Sequence, residues 1–189
     1  IDIKDKKELA LKHFGLNENQ KTVLAVGGSL GALTINESIG KGLKYFEESN
    51  IQVIWQTGKS YFEKAKQEAT KYNSNNIKVF QFIYEMDLAY SVADVIVSRA
   101  GALAISELCV IGKPTILIPS PNVAEDHQTK NAVALVEKNA ALLVKDSMAR
   151  EILVNEIDEL LKNTDKQLDL SKNILNLGVK DADKRILSI

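Results

Sequence analysis

The chain has 189 residues, 45% of them hydrophobic, with 24 basic and 25 acidic side chains and a formal net charge of −1. That length and apolar content suit one domain with a full core, or at most two small ones, and the balanced charge leaves no basic face for a nucleic-acid backbone. The single cysteine, Cys109, excludes a disulfide framework and a cysteine-based zinc site, and no apolar run approaches the ~18 residues of a membrane span. One free cysteine and no signal-like start point to a reducing compartment. A first residue of Ile rather than Met reads as a fragment or a processed chain.

In chain order, residues 1–21 are charged and hold a short predicted helix at 6–14. The apolar run at 22–26 predicts the first strand. It ends in Gly27-Gly28-Ser29-Leu30-Gly31-Ala32 and gives way to a helical pattern from Thr34 onward. Further apolar, β-branched runs at 51–56, 77–80, 94–97, 115–118 and 141–144 predict five more strands. Helical segments lie between and after them. Residues 58–72 are charged and amphipathic, and 85–92 are short. Residues 102–111 are almost wholly apolar and are expected to be buried. Residues 125–138 place Ala132, Val133, Leu135 and Val136 on an inner side, and 149–161 repeat the pattern. The end, 165–189, is helical in composition with no strand to pack behind, and is expected to lie across a neighbouring domain.

Strands alternating with helices every ~20–30 residues imply parallel strands joined by right-handed crossovers. Runs that are apolar throughout fit strands covered by helices on both faces. The expected fold class is α/β, a doubly wound, parallel, six-stranded, Rossmann-like sheet. It spans residues 21–164, with a lead-in segment at 1–20 and a helical segment at 165–189. Ligands of such sheets bind where the strands end. Five loops on that rim carry glycine or polar residues: Gly27-Gly28-Ser29, Gln56-Thr57-Gly58, Gln81-Phe82-Ile83, Ser98-Arg99-Ala100-Gly101, and 119–128.

The glycine loop suits an anion, because glycine lets the backbone approach closely and the helix start offers free N–H groups. It also suits a simple tight turn. Ser29 would bond a phosphate oxygen or cap the helix. The spacing G-G-S-L-G-A does not fit the dinucleotide fingerprint, and the second strand ends Trp55-Gln56-Thr57 without the acid that fingerprint wants. Gly58-Lys59-Ser60 resembles the end of a P-loop, but Val53 stands where a glycine is required. Asp181-Ala182-Asp183 resembles a metal-binding pair yet sits in the tail, off the rim.

After the fourth strand, Glu107 sits early in an apolar helix, where an unpaired buried carboxylate is costly. It faces either a diol, which donates two O–H groups to a carboxylate, or a helix terminus or cation such as Arg99. In the last loop, prolines force an extended exit from the fifth strand. His127 and Gln128 then stand as donors for sugar or phosphate, or, for His127, as an ordinary surface residue. His13 reads as surface. No Ser-His-Asp set and no metal-ligand spacing is evident.

Six blocks together resemble the MurG family of bacterial glycosyltransferases. They are the glycine loop 27–32, Ile35-Asn36-Glu37, Gln56-Thr57-Gly58-Lys59, Phe82-Ile83-Tyr84-Glu85-Met86, Ser98-Arg99-Ala100-Gly101-Ala102 with Ser106-Glu107, and Asp126-His127-Gln128-Thr129-Lys130-Asn131-Ala132. The resemblance runs in order from about residue 22 to 161 and concerns only the C-terminal, donor-binding half of a two-domain GT-B enzyme. It implies inverting transfer of GlcNAc from UDP-GlcNAc to lipid I, forming lipid II at the inner, cytoplasmic face of the bacterial membrane, with no metal cofactor and no nucleic-acid partner. Ser29, with Gly28 and Gly31, would meet the donor diphosphate, and the backbone of Ile83 would hold the uracil. Ala102, Leu103, Ala104, Ile105, Ser106 and Glu107 would line the nucleotide, with Glu107 on the ribose hydroxyls. Gln128, and His127 beside it, would reach the GlcNAc end.

The resemblance also implies what this stretch lacks: the acceptor half with its catalytic base and membrane-facing patch, and an upstream arginine of the donor site. On that reading the chain binds donor without turnover and its partners are UDP-GlcNAc, an N-terminal acceptor domain and, through that domain, lipid I. The alternatives are a stand-alone donor subunit of a split GlcNAc transferase and a non-catalytic nucleotide-sugar-binding or epimerase-like GT-B domain.

Overall fold

The computed structural model describes residues 1–28, 30–72, 75–121 and 126–178. Six strands form one sheet: β1 (Thr22–Val26), β2 (Gln52–Gln56), β3 (Ile77–Phe80), β4 (Val95–Ser98), β5 (Thr115–Leu117) and β6 (Leu142–Leu143). They lie in the order β3-β2-β1-β4-β5-β6, and every pairing is parallel. The register runs Val26 beside Gln56 on one side of β1 and beside Ser98 on the other. The chain therefore winds outward from β1 in one direction and from β4 in the other, which leaves a crevice between their ends.

The helices are α1 (Lys7–Phe14), α2 (Leu33–Glu48), α3 (Phe62–Thr70), α4 (Met86–Val92), α5 (Ala102–Ile111), α6 (His127–Val136), α7 (Asp146–Lys162) and α8 (Thr164–Leu177). Side chains of a strand alternate between faces, and the apolar runs divide accordingly. Val23 and Ala25 of β1 pack with Ile35, Ile39, Leu43 and Phe46 of α2 and with Leu153 and Ile157 of α7. Leu24 and Val26 pack instead with Phe14 of α1, Leu88 of α4, Leu108 of α5 and Leu135 of α6. Both faces are thus covered, which is why all five residues of β1 are buried.

Four expectations change. The helix expected from residue 58 begins at Phe62, because Gly58 takes a positive φ of 74° and makes a turn. α5 is not buried along its length: only Leu108, Cys109 and Ile111 are, and Leu103 is 84% exposed. The reason is α8, which covers only the C-terminal half of α5, with Leu175 against Gly112 and Gly178 against the Cys109 carbonyl. In α6 the inner stripe is Ala132 and Leu135, while Val133 and Val136 stay exposed. Residues 164–177 do find a place to pack on their own domain, while 179–189 of the same segment lie outside the described residues. Leu170 joins the core on the α7 side and Ile174 the core on the α5 side, both fully buried. The Asp181-Ala182-Asp183 triplet lies outside the described residues.

Candidate functional site

The five rim loops gather at the C-terminal ends of β1 to β5. At the crevice between β1 and β4 they leave a cleft of about 590 Å³, lined among others by Gly28, Gly31, Thr34, Arg99, Gln128 and Asp146. Two helices start at its edge. The N-caps are Ala32 for α2 and Gly101 for α5, neither with a side-chain cap and neither helix with an acid in its first turn. Bare first-turn amides and two positive dipole ends favour an anion. Ser29 and residues 122–125 lie outside the described residues.

The glycines of the rim divide into two kinds. A Cβ on Gly31, whose φ is 80°, would overlap the Thr57 carbonyl oxygen, and one on Gly58 would lie 2.5 Å from Gly31 N. These two permit loop packing. A Cβ added at Gly28 or Gly101 would meet nothing within 4 Å. Packing does not require glycine at either, but Gly28 takes a positive φ of 80° that itself favours glycine, whereas Gly101 has an ordinary φ of −67°. Gly28 lines the cleft and Gly101 opens α5 two residues after Arg99, which also lines it; at Gly101, where the backbone is ordinary and the space open, close approach of a ligand would account for a bare backbone.

Buried amides tie the loops together. Asn36 on α2 accepts from Trp55 Nε1 at 2.9 Å and donates to the Thr57 carbonyl at 2.8 Å. Gln56 donates through Nε2 to the Gly28 carbonyl at 3.2 Å and accepts from the Ile83 N–H at 2.8 Å. The loops after β1 and β3 are thereby joined through the last residue of β2. Ile83 is buried, and its N–H is already engaged. Its carbonyl has no partner among the described residues.

Gln128 accepts through Oε1 from the N–H of Ser120 at 2.9 Å and of Ala100 at 3.3 Å. Asn131 Nδ2 donates to the Ala100 carbonyl at 3.0 Å. Helix α6 thus holds both backbone polar groups of Ala100, the residue that leads into Gly101. Because Oε1 is occupied twice, the group Gln128 has left to offer toward the cleft is its Nε2 donor. His127 is exposed in the first turn of α6.

Arg99 is not the partner of Glu107. Its Nη1 bonds Asp146 Oδ1 at 2.5 Å and the carbonyls of Ile118 and Pro119 at 3.0 and 3.2 Å. Asp146 Oδ2 accepts from Thr34 Oγ1 at 2.9 Å, so one ion pair joins α2, α7 and the ends of β4 and β5. Glu107 is exposed, so the burial cost expected of it does not arise. It accepts from the Tyr90 hydroxyl at 3.2 Å. Burial first, and then the charge of Glu107, push the Tyr90 phenol well above its ordinary range. Around Glu107, Ala102 and Leu103 are exposed, Ala104 and Ile105 are half-buried, and Ser106 Oγ donates to the Ala102 carbonyl. Tyr90 and Asp146 were not candidates from the sequence, and Gln56 stood there only within a rim loop and a motif block, with no role of its own. A polar residue closing a buried strand was the one signal for Gln56; the other two depend on contacts 17 and 47 residues away.

The family model described as the glycosyltransferase family 28 C-terminal domain matches residues 22–186. The chain belongs to glycosyltransferase family 28. This family 28 domain is 56% identical over 188 residues to the UDP-N-acetylglucosamine–N-acetylmuramyl-(pentapeptide) pyrophosphoryl-undecaprenol N-acetylglucosamine transferase of Cytophaga hutchinsonii, covering 100% of this chain and 50% of that protein. It is 50% identical over 182 residues to the protein of the same name from Parabacteroides distasonis, covering 96% of this chain and 50% of the relative. Among solved structures it is similar to Acinetobacter baumannii MurG, with a TM-score of 0.77, 29% identity, and coverage of 89% of this chain and 51% of that one. The family 28 domain thus spans about half the length of the curated relatives it matches.

Proposed function

We propose that this family 28 domain holds the UDP-GlcNAc donor of an enzyme that transfers GlcNAc to lipid I, and that an acceptor-binding half supplies the catalytic base. The observation that carries the reading is the pair of open glycines, Gly28 and Gly101, beside two bare helix N-termini at the crevice between β1 and β4. An anion there meets backbone donors at both strand ends. That is the corner for the diphosphate, and Ser29, next to Gly28 in the sequence, is expected to serve it.

The remaining groups order the rest of the donor. The base lies toward Ile83, where the free carbonyl accepts from an imide N–H, and the ribose diol lies on Glu107. Gln128, held as a donor, faces the sugar, with His127 at the edge of α6. As the bond to the diphosphate breaks, negative charge grows on the leaving UDP. The start of α2 and the start of α5 then stabilise it electrostatically without having to reorganise. The acceptor is a polyprenyl-linked lipid, which places the work at the inner face of a bacterial membrane. Among the described residues no helix is long and apolar enough to cross one, so contact there would be peripheral.

Titration calorimetry with UDP and UDP-GlcNAc tests the reading. Saturable binding of both is expected, and Glu107→Ala should weaken it by about 1–3 kcal/mol, the scale of lost hydrogen bonds to a charged group. A folded protein that binds neither at millimolar nucleotide would overturn it.

A further inference from the structure

Glu107 projects from the overhanging half of α5, where an exposed glutamate ordinarily samples several rotamers in water. Four residues before it stands Leu103, 84% exposed, and among the described residues no cation pairs with its carboxylate. One group holds it: the hydroxyl of Tyr90, which reaches from α4 to Oε2 at 3.2 Å. Tyr90 itself is 3% exposed and packed in the core with Leu88, Ala89 and Val92. A phenol so buried needs an acceptor, and the acceptor it takes is an exposed carboxylate on a different element.

We infer that Tyr90 is a positioning residue: its fixed hydroxyl clamps Oε2 of Glu107 and so presents Oε1 to the ribose hydroxyls of a bound uridine nucleotide. The inference rests on the donor-site reading above and adds to it a residue that touches no ligand. The physical gain is preorganisation. A carboxylate already held in one rotamer loses less side-chain freedom when the diol arrives. The arrangement is also one-sided in proton terms. The phenol stays protonated well past neutrality, so it donates, and the carboxylate keeps its remaining lone pairs for the ligand's own O–H donors.

The test compares UDP with 2′,3′-dideoxy-UDP by titration calorimetry in the wild type, Tyr90→Phe, Glu107→Gln and the double variant. Tyr90→Phe keeps the ring in the core and removes only the hydroxyl. UDP affinity should fall roughly three- to tenfold in Tyr90→Phe, the scale of one hydrogen bond acting through another. Affinity for the dideoxy nucleotide should not change, and the double variant should bind UDP no more weakly than Glu107→Gln alone. Equal weakening of both nucleotides by Tyr90→Phe would make Tyr90 merely structural and overturn the inference. So would unchanged UDP affinity in Tyr90→Phe alongside a loss in Glu107→Gln. A wild type that fails to bind UDP, or binds the two nucleotides alike, would instead remove the donor-site reading, and this inference with it.

Discussion

Gly31 and Gly58 meet backbone to backbone across two rim loops, each with positive φ, at 80° and 74°. The contact joins the loop that opens α2 to the turn that precedes α3, and it leaves no room for a side chain on either. Gly101 presents the opposite case, with an ordinary backbone and open space. Gly31→Ala should therefore destabilise folding by about 2–4 kcal/mol through strain and overlap. Gly101→Ala should change stability by about 1 kcal/mol at most, the cost of alanine at an N-cap. It should nonetheless weaken UDP roughly tenfold, as overpacking against a ligand does. Denaturant unfolding and calorimetry on the two variants separate the cases; equal effects on stability would remove the distinction.

Asn36 is 2% exposed and both ends of its amide are in use, on Trp55 and on the Thr57 carbonyl. Asn36→Ala leaves a buried indole N–H and a buried carbonyl without partners. A loss of about 2–4 kcal/mol is expected by chemical denaturation. A loss under about 1 kcal/mol would mean that water or a rearranged side chain replaces the amide.

The Arg99–Asp146 pair is mostly buried, with side chains 15% and 16% exposed. Removing one member strands the other's charge, and Arg99→Ala also strips two carbonyls of their donor. We expect Arg99→Ala to cost about 2–3 kcal/mol, somewhat under the range for fully buried pairs. Asp146→Asn should cost less in the Arg99→Ala background than alone. A double-mutant cycle showing simple additivity would mean that the two side chains do not support one another.

Lys6 and Asp87 join α1 to α4 at 2.6 Å, and the hydrogen bond from Lys6 holds the Asp87 carboxyl below its ordinary value. A carboxyl depressed in the folded state contributes stability that is fully present above its unfolded pKa of about 3.9 and is lost as pH falls through the folded value. Both side chains are a third exposed, so the contribution is small and screened by salt. In an NMR titration, Lys6→Met should move the Asp87 midpoint upward toward the ordinary range. An unmoved midpoint would assign the shift to the backbone instead.

Much of the scaffold was legible because its signals are local. Short apolar runs, most of them with β-branched residues, each followed by a turn and a helical spacing, recur from β1 onward, and each is read within one short window. What failed to read was burial that depends on a distant element. Helix α5 is apolar almost throughout, so no face announces itself, and its packing on the sheet and beneath α8 decides that Leu108 is inside and Leu103 outside. The outer valines of α6 belong to the same class. In the site, Gly28, Gly31 and Glu107 stood out by type and position. Gln56, Tyr90 and Asp146 are ordinary residues whose roles arise from partners far along the chain.

By itself the sequence determined the order of strands and helices, the rim on which glycine and polar residues collect, and the resemblance to a glycosyltransferase family. Those follow from period, from turn chemistry and from motifs a few residues long. Only the tertiary structure decided which loops share a hydrogen bond, that Arg99 answers Asp146 and not Glu107, and that a core tyrosine reaches a surface glutamate. These depend on distances between elements, set when two packed layers close on the sheet and every buried donor must find an acceptor.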